Sequence, residues 1–181
     1  MSNIKSKSMK KMMMIFALVV FTTAIRAQDY KTGIGFRLSG INYGITVKHF
    51  IGNETAIEGI LGFGRGAFTI TGLYEKHQTF PNAEGLKWFY GGGAHVGFFQ
   101  AGYNYAYYYY YKNKGYKYYY NDYPDGPYSS NVFIGADFIL GLEYKFKGAP
   151  ITIGLDVKPQ VDFIPGFYGY FDGALTFRFT L

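Results

Sequence analysis

The sequence predicts an all-β protein: an eight-stranded antiparallel transmembrane β-barrel, preceded by a cleavable signal peptide. Three observations predict this fold class. The amino terminus resembles a secretory leader, eight later segments alternate apolar with polar residues, and no helical periodicity is sustained after residue 28. About 154 of the 181 residues remain after the leader, a length that suits one domain.

The leader is predicted to be residues 1–27, with cleavage after Ala27. Its apolar run, residues 12–21, is about half of the roughly 20 residues that a membrane-spanning helix needs, which argues against the alternative of a single anchor. The lysines that precede this run are Lys5, Lys7, Lys10 and Lys11. Removing the leader leaves thirteen basic and twelve acidic residues. We therefore expect no nucleic acid as a partner, because no clustered basic face survives.

The predicted barrel domain is residues 28–181, and its first four strand segments are residues 33–39, 42–50, 55–64 and 67–77. In each segment, apolar residues alternate with glycine or polar residues, the pattern of a strand with two different faces. The polar faces carry Arg37 in the first segment, Lys48 in the second, Glu58 in the third, and Thr69, Thr71 and Glu75 in the fourth.

The last four segments are longer and comprise residues 86–99, 132–147, 151–163 and 170–181. The alternation is clearest in the last, where Phe171, Leu175 and Phe177 oppose Asp172 and Arg178. The polar face of residues 86–99 carries Lys87 and His95. That of residues 132–147 carries Asp137, Glu143 and Lys145, and that of residues 151–163 carries Asp156 and Lys158.

Glycine decides which face lies inside. The polar faces combine glycine with charges of both signs, as expected in the narrow interior of eight strands, and glycine in a strand facing water would only cost stability. We therefore place the apolar face in lipid, where a closed barrel satisfies every backbone group. On this assignment Leu140 faces lipid and Gly141 faces the lumen, so we expect Gly141→Ser to cost much less stability than Leu140→Arg. The aromatic residues expected at the membrane interfaces are Tyr43, Tyr74, Trp88, Tyr144 and Phe179.

The inward charges are expected to pair into a ladder that plugs the barrel, because they are close to balanced in sign and the lumen is narrow. The alternative is a narrow small-solute channel. The predicted lumenal set is Arg37, Lys48, Glu58, Glu75, Lys87, His95, Asp137, Glu143, Lys145, Asp156, Lys158 and Arg178.

One long connection, residues 99–131, separates the fifth and sixth segments and is predicted to be an external loop. Thirteen of the twenty tyrosines fall within residues 101–128, which is too dense for a packed core. Tyrosine is common at binding surfaces, so we expect either a surface contact with an unknown ligand or a solvated insertion without one. The candidate contacts are Tyr107, Tyr109, Tyr111, Lys112, Lys114, Lys117 and Tyr119.

An even number of strands places both chain termini at the same end of the barrel. In outer-membrane barrels this is the periplasmic end, where the connections between strands are short.

The chain resembles the small outer-membrane β-barrel proteins of Bacteroidetes, which share the architecture of OmpX and of the OmpA membrane domain. The resemblance rests on residues 44–50, the strand that contains Glu58, residues 73–99, residues 133–160 and the carboxyl-terminal GALTFRF. It implies the outer membrane of a Gram-negative bacterium, outer-membrane lipid as surroundings, and the barrel-assembly machinery as a partner. That machinery usually recognises an aromatic residue at the carboxyl terminus. Here the last residue is Leu181, and we expect Phe179 and Phe177 to be recognised instead.

Enzyme chemistry is not expected, although some outer-membrane barrels act on lipid A with serine and histidine. By alternation only His95 clearly points inward, and Ser39 is expected near the external rim. The absence of cysteine excludes disulfides and cysteine-ligated metals. We expect no catalytic residue, no cofactor, no metal site and a monomer; the alternative to the absence of a metal is a loosely bound cation near Asp122 and Asp125.

Overall fold

The computed structural model describes residues 30–40, 42–64, 66–99, 132–164 and 166–181. These residues form eight antiparallel strands whose neighbours pair in chain order, and β1 also pairs with β8 to close the barrel. The strands are β1 (Thr32–Ser39), β2 (Tyr43–Phe50), β3 (Thr55–Gly64), β4 (Ala67–Thr79), β5 (Leu86–Phe99), β6 (Val132–Lys145), β7 (Ile151–Ile164) and β8 (Tyr168–Thr180). No helix in this part of the chain is long and apolar enough to cross a membrane.

The eight predicted segments and the antiparallel barrel are confirmed. The largest differences are at strand ends: β4 continues two residues past its predicted end to Thr79, β6 ends two residues early at Lys145, and β8 begins at Tyr168. The predicted signal peptide and the tyrosine-rich segment, with all its candidate contacts, lie outside the described residues.

The two ends of the barrel differ in how their strands are connected. At one end, here called the turn end, short connections join β2 to β3, β4 to β5 and β6 to β7. The first and last strands also meet there, where the Leu181 backbone N–H donates to the Thr32 carbonyl at 2.7 Å. The other end, here called the loop end, carries the connection from β5 to β6. Gly85 and Gly148 take positive φ angles of 83° and 73° in two turns at the turn end, a conformation that glycine adopts without steric cost.

Polarity is inverted relative to a soluble barrel. Large apolar side chains cover the outside; Phe138 is 62% exposed and Leu140 is 52% exposed. Eleven aspartate, glutamate, lysine and arginine side chains point inward and are buried almost completely, as the sequence pattern predicts. The interior also holds an apolar group, formed by Ile60, Leu73, Phe89 and Ile139, so the inner face is not wholly polar.

Inward glycines make room for the strands and for the charged side chains. A Cβ atom on Gly93 would lie 1.8 Å from the Gly72 carbonyl oxygen. One on Gly141 would lie 2.5 Å from Phe89 and 2.7 Å from the Leu155 carbonyl oxygen. These contacts argue against the expectation that Gly141→Ser costs much less than Leu140→Arg, because the neighbouring atoms would have to shift to admit a side chain.

Candidate functional site in the barrel lumen

The candidate site is the set of charged side chains inside the barrel. Seven carboxylates are buried among the described residues, against four lysine or arginine side chains and two histidines. The carboxylates are Glu58, Glu75, Asp137, Glu143, Asp156, Asp162 and Asp172. The basic residues are Arg37, Lys48, Lys158 and Arg178, with His77 and His95. The acids outnumber the bases, which corrects the prediction of a nearly balanced set.

The first group lies toward the turn end and is called here the turn-end cluster. Arg178 bridges two strands, with Nη2 2.5 Å from Glu58 Oε1 and Nη1 2.9 Å from Glu143 Oε2. Lys48 Nζ lies 2.8 Å from Glu75 Oε2 and 3.1 Å from Glu58 Oε2. The two cations thus share three carboxylates, so each carboxylate has a positive partner in a region without solvent.

A tyrosine outside the strands covers this cluster from the turn end. The Tyr30 hydroxyl donates to Glu143 Oε1 at 2.6 Å. Burial raises the pKa of the Tyr30 hydroxyl well above its usual value, and the negative charge of Glu143 raises it further. The phenol therefore stays protonated and remains a donor to Glu143.

Aromatic rings stack beneath Tyr30 on the inner side of the barrel at the turn end. The Phe50 ring packs edge-on against Tyr30 at 5.1 Å and against His77 at 4.8 Å. The His77 ring in turn stacks on Phe89 at 5.0 Å, and Lys48 Nζ lies 4.1 Å above the Phe89 ring centroid. Aromatic and cation–π contacts thus join the ring stack to the turn-end cluster.

The middle of the lumen holds a smaller group, called here the middle cluster. Arg37 Nη2 lies 2.5 Å from Asp156 Oδ1, and Arg37 Nη1 lies 3.4 Å from Asp172 Oδ2. All three side chains are buried. One guanidinium therefore ties together strands β1, β7 and β8, a geometry that its fixed fork of donors favours.

The third group, the loop-end cluster, surrounds His95. Its Nδ1 lies 2.8 Å from Asp137 Oδ2 and its Nε2 lies 2.8 Å from Asp162 Oδ1. Lys158 Nζ donates to the other oxygen of Asp137 at 2.8 Å. A neutral imidazole has only one N–H, so the ring can donate to both carboxylates only when both nitrogens are protonated.

A polar cavity of about 20 Å³ lies beside this cluster. It is lined in part by Thr69, Thr71, His95, Lys158, Gln160 and Tyr170. This volume suffices for about one water molecule with several polar partners, and is far below the several hundred Å³ that small-molecule pockets usually have.

Two predicted members of the lumenal set lie at its margin. Lys145 is half-buried at the end of β6, and its Nζ donates to the Ala149 carbonyl at 2.5 Å and faces the Phe146 carbonyl at 3.4 Å. Including Lys145 in the ladder was wrong, because the last residue of the strand reaches the turn carbonyls instead. Lys87 is also half-buried, with Nζ 5.5 Å from the Phe50 ring centroid. The other ten predicted residues are buried inside the barrel.

Three lumenal residues were missed. His77 is 1% exposed and bonds Glu75 through Nε2 at 2.9 Å. The statement that only His95 points inward is therefore wrong, and the cause is the extra length of β4, which was thought to end at His77. Asp162 and Asp172 continue the polar faces of their strands but were left out of the predicted lumenal set, because their pairings with His95 and Arg37 join strands that are distant in sequence.

Among the described residues, Ser39 and His95 are each bonded to other partners. The Ser39 hydroxyl donates to the Asn42 carbonyl at 2.7 Å in the β1–β2 turn, whereas both nitrogens of His95 face carboxylates. Among the residues that the structure describes, no three histidine, cysteine, aspartate or glutamate side chains are grouped to hold a metal ion. The arrangement pairs opposite charges across the lumen, and removing one partner would leave the other buried without compensation.

Scans against protein-family models and against curated proteins find no match for this sequence.

Proposed function

We propose that this chain is a small outer-membrane β-barrel protein of a Gram-negative bacterium, of the kind found in Bacteroidetes, with its termini in the periplasm. The inverted polarity carries this proposal. Seven carboxylates are buried inside, while side chains such as Phe138 and Leu140 are exposed outside. Water would not favour that arrangement, whereas a bilayer core does, because apolar groups then meet lipid and charges are shielded in the lumen. The predicted leader at residues 1–27 supports export.

We further propose that the lumen is closed and that the barrel has a structural role. Three ion-paired clusters follow one another along the interior, and the rings of Phe50, His77 and Phe89 fill its turn end. Eight strands leave an interior only wide enough for side chains. A continuous water path would require these partners to separate, which leaves buried charges unpaired.

The proposed role includes a surface contact through the tyrosine-rich segment, residues 99–131, at the external end. Its tyrosines and lysines suit an anionic or glycan ligand at the cell surface. We propose no enzymatic activity and no cofactor. The partners that remain are membrane lipid, the barrel-assembly machinery during biogenesis and a surface ligand.

Cell fractionation tests the proposed location. The mature chain, beginning near Gln28, is expected in the outer-membrane fraction, and its electrophoretic mobility should differ between unheated and heated samples because the closed barrel resists detergent. A deletion of residues 103–128 should keep the mobility shift and lose any surface binding. Recovery of the full-length chain from the soluble periplasmic fraction would contradict the proposal.

Planar-bilayer recording tests the closed lumen. Purified refolded protein is expected to give no steady conductance, because on this proposal the turn-end cluster and its ring stack close the lumen. Reproducible single-channel steps that depend on the lumenal residues, for example steps that increase in Arg37→Ala, would favour the small-solute channel instead.

A further inference from the structure

We propose a binding site for an anionic glycerophospholipid on the outer face of β1–β4 at the turn end, an inference that rests on the proposed membrane location. Its headgroup would contact a small polar surface, called here the rim patch, formed by Thr32, His49, Thr55 and Lys76. Its acyl chain would follow a shallow groove lined by Gly59, Gly72, Ala94 and Ala136.

The rim patch lies at the turn end of a largely apolar outer face, and the exposed Gln78 follows Lys76 on the same face of β4. The Thr32 hydroxyl and His49 Nδ1 are 2.8 Å apart on neighbouring strands, and Lys76 Nζ donates to the Thr55 hydroxyl at 2.6 Å. Lys76 is exposed and uses one of its three N–H donors on Thr55. Polar groups on the outer wall of a transmembrane barrel are tolerated only near an interface, so the patch marks the level of lipid headgroups.

The two halves of the patch are close enough to share one phosphate. The backbone partner of His49 on β3 is Ile57, and Thr55 lies two residues further along the same face. Such diagonal neighbours have Cβ atoms roughly 7–8 Å apart. Lys76 offers a full positive charge, while His49 Nε2 and the hydroxyls offer further hydrogen-bonding groups. A phosphodiester with net negative charge fits these donors better than a headgroup that carries its own cation.

The groove begins on the same pair of strands as Lys76. Gly59 on β3 pairs directly with Gly72 on β4, and a Cβ atom on either would meet no atom within 4 Å. The pairs on both sides are bulky: Ile57 with Tyr74, and Leu61 with Ile70. The groove continues across the wall because Gly72 pairs with Ala94, and Ala94 with Ala136.

The distances suit one lipid molecule. Thr55 and Gly59 are four positions apart, which corresponds to roughly 13 Å along a strand. The Ile57–Tyr74 pair lies between the two positions, so the glycerol would pass over these side chains before an acyl chain enters the groove. Lys76 provides charge complementarity at one end and the paired glycines provide space at the other.

The single tryptophan of the chain provides the measurement. Trp88 lies on β5, where its backbone partner is Gln78 on β4. Tyr90, two residues further along β5, is the backbone partner of Lys76. Two kinds of phosphatidylcholine bilayer are compared, one containing brominated phosphatidylglycerol and the other brominated phosphatidylcholine at the same mole fraction. Quenching of Trp88 fluorescence then reports which lipid occupies the neighbouring site. We expect the anionic lipid to be preferred about fivefold, the contribution of one basic side chain near the membrane surface.

Two pairs of variants separate the headgroup from the chain. Lys76→Gln should remove the preference, whereas Lys147→Gln, a change to an exposed lysine paired with Glu84 at the same end, should keep it. Gly72→Leu should fill the groove and reduce quenching by both brominated lipids, whereas Gly173→Leu on β8 should not. The heat-dependent mobility shift identifies the variants that fold.

Equal quenching by the two lipids in the wild type would overturn the inference while leaving the proposed function intact. So would an equal loss of preference in the variants at Lys76 and Lys147, since that result indicates a general surface charge. A wild-type chain that does not insert into bilayers would contradict the proposed function itself.

Discussion

Replacing Arg178 by methionine is expected to lower the free energy of unfolding by about 3–5 kcal/mol, the usual cost of removing one partner from a buried ion pair. Arg178 is 2% exposed, and its guanidinium bonds Glu58 at 2.5 Å and Glu143 at 2.9 Å. Methionine preserves much of the volume and removes the charge and the donors. Lys48 would then be left as the nearest cation to both carboxylates. Urea titration of protein refolded in detergent or in bilayers measures the change.

The matched control is Lys147→Met, which removes an equally short ion pair from the surface. Lys147 Nζ lies 2.5 Å from Glu84 Oε2, but both side chains are more than 60% exposed, and such pairs contribute about 0–1 kcal/mol. Adding Glu143→Gln to Arg178→Met should recover part of the loss, because it removes one of the carboxylates left without its partner. Equal losses for Arg178→Met and Lys147→Met would show that the turn-end cluster does not hold the strands together.

The alternation of apolar and polar residues was sufficient to predict the strands and which face of each strand points into the lumen. A strand alternates its side chains between two faces, so the position of one residue such as Arg178 fixes the side of every other residue in β8. All eight segments were found in this way, and their lumenal residues followed, apart from those near strand ends. His77 and Lys145 were misjudged because both lie near a strand end. There, a difference of one or two residues in strand length decides whether a side chain lies in the lumen or at its margin.

Pairing across the lumen could not be predicted in the same way. Arg178 and Glu58 are 120 positions apart in the chain, and their heights in the barrel depend on the register of every strand pair between them. An irregularity in the β6–β7 register, between Ile134 and Gly135, changes which residues stand opposite one another near the loop end. For that reason the sequence indicated that Asp162 faces inward without indicating that it bonds His95.

Glycine placement links the wall to the lumenal charges. Gly35 and Arg37 lie on the same inward face of β1, and a Cβ atom on Gly35 would lie 1.9 Å from the Phe177 carbonyl oxygen. Gly154 leaves space beside Arg178 Nη1, which is 3.6 Å from the position of its missing Cβ atom. Long cationic side chains can therefore cross the lumen because neighbouring positions on the inner face are small.

Replacing Leu140 by arginine is expected to cost about 2–4 kcal/mol in a bilayer, since this is the penalty for a cation on the lipid face near the midplane. Leu140 is 52% exposed on the outside of β6, away from the strand ends. On a soluble protein the same change at an exposed site would fall within about 0.5 kcal/mol, so the size of the effect separates the two environments. The free energy of unfolding from lipid vesicles is the quantity to measure.

Leu38→Arg is the matched control, because the same substitution is made on the same outer face but one residue from the loop-end terminus of β1. Leu38 is exposed to a similar extent, at 60%, and pairs with Tyr43, one of the aromatic residues predicted at the interface. An arginine there can reach the headgroups, so its cost should fall to about 0–1 kcal/mol. A large penalty at Leu140 with a small one at Leu38 is the depth dependence that a bilayer imposes. Equal and small penalties at both positions would mean that the apolar outer face of this barrel does not contact lipid.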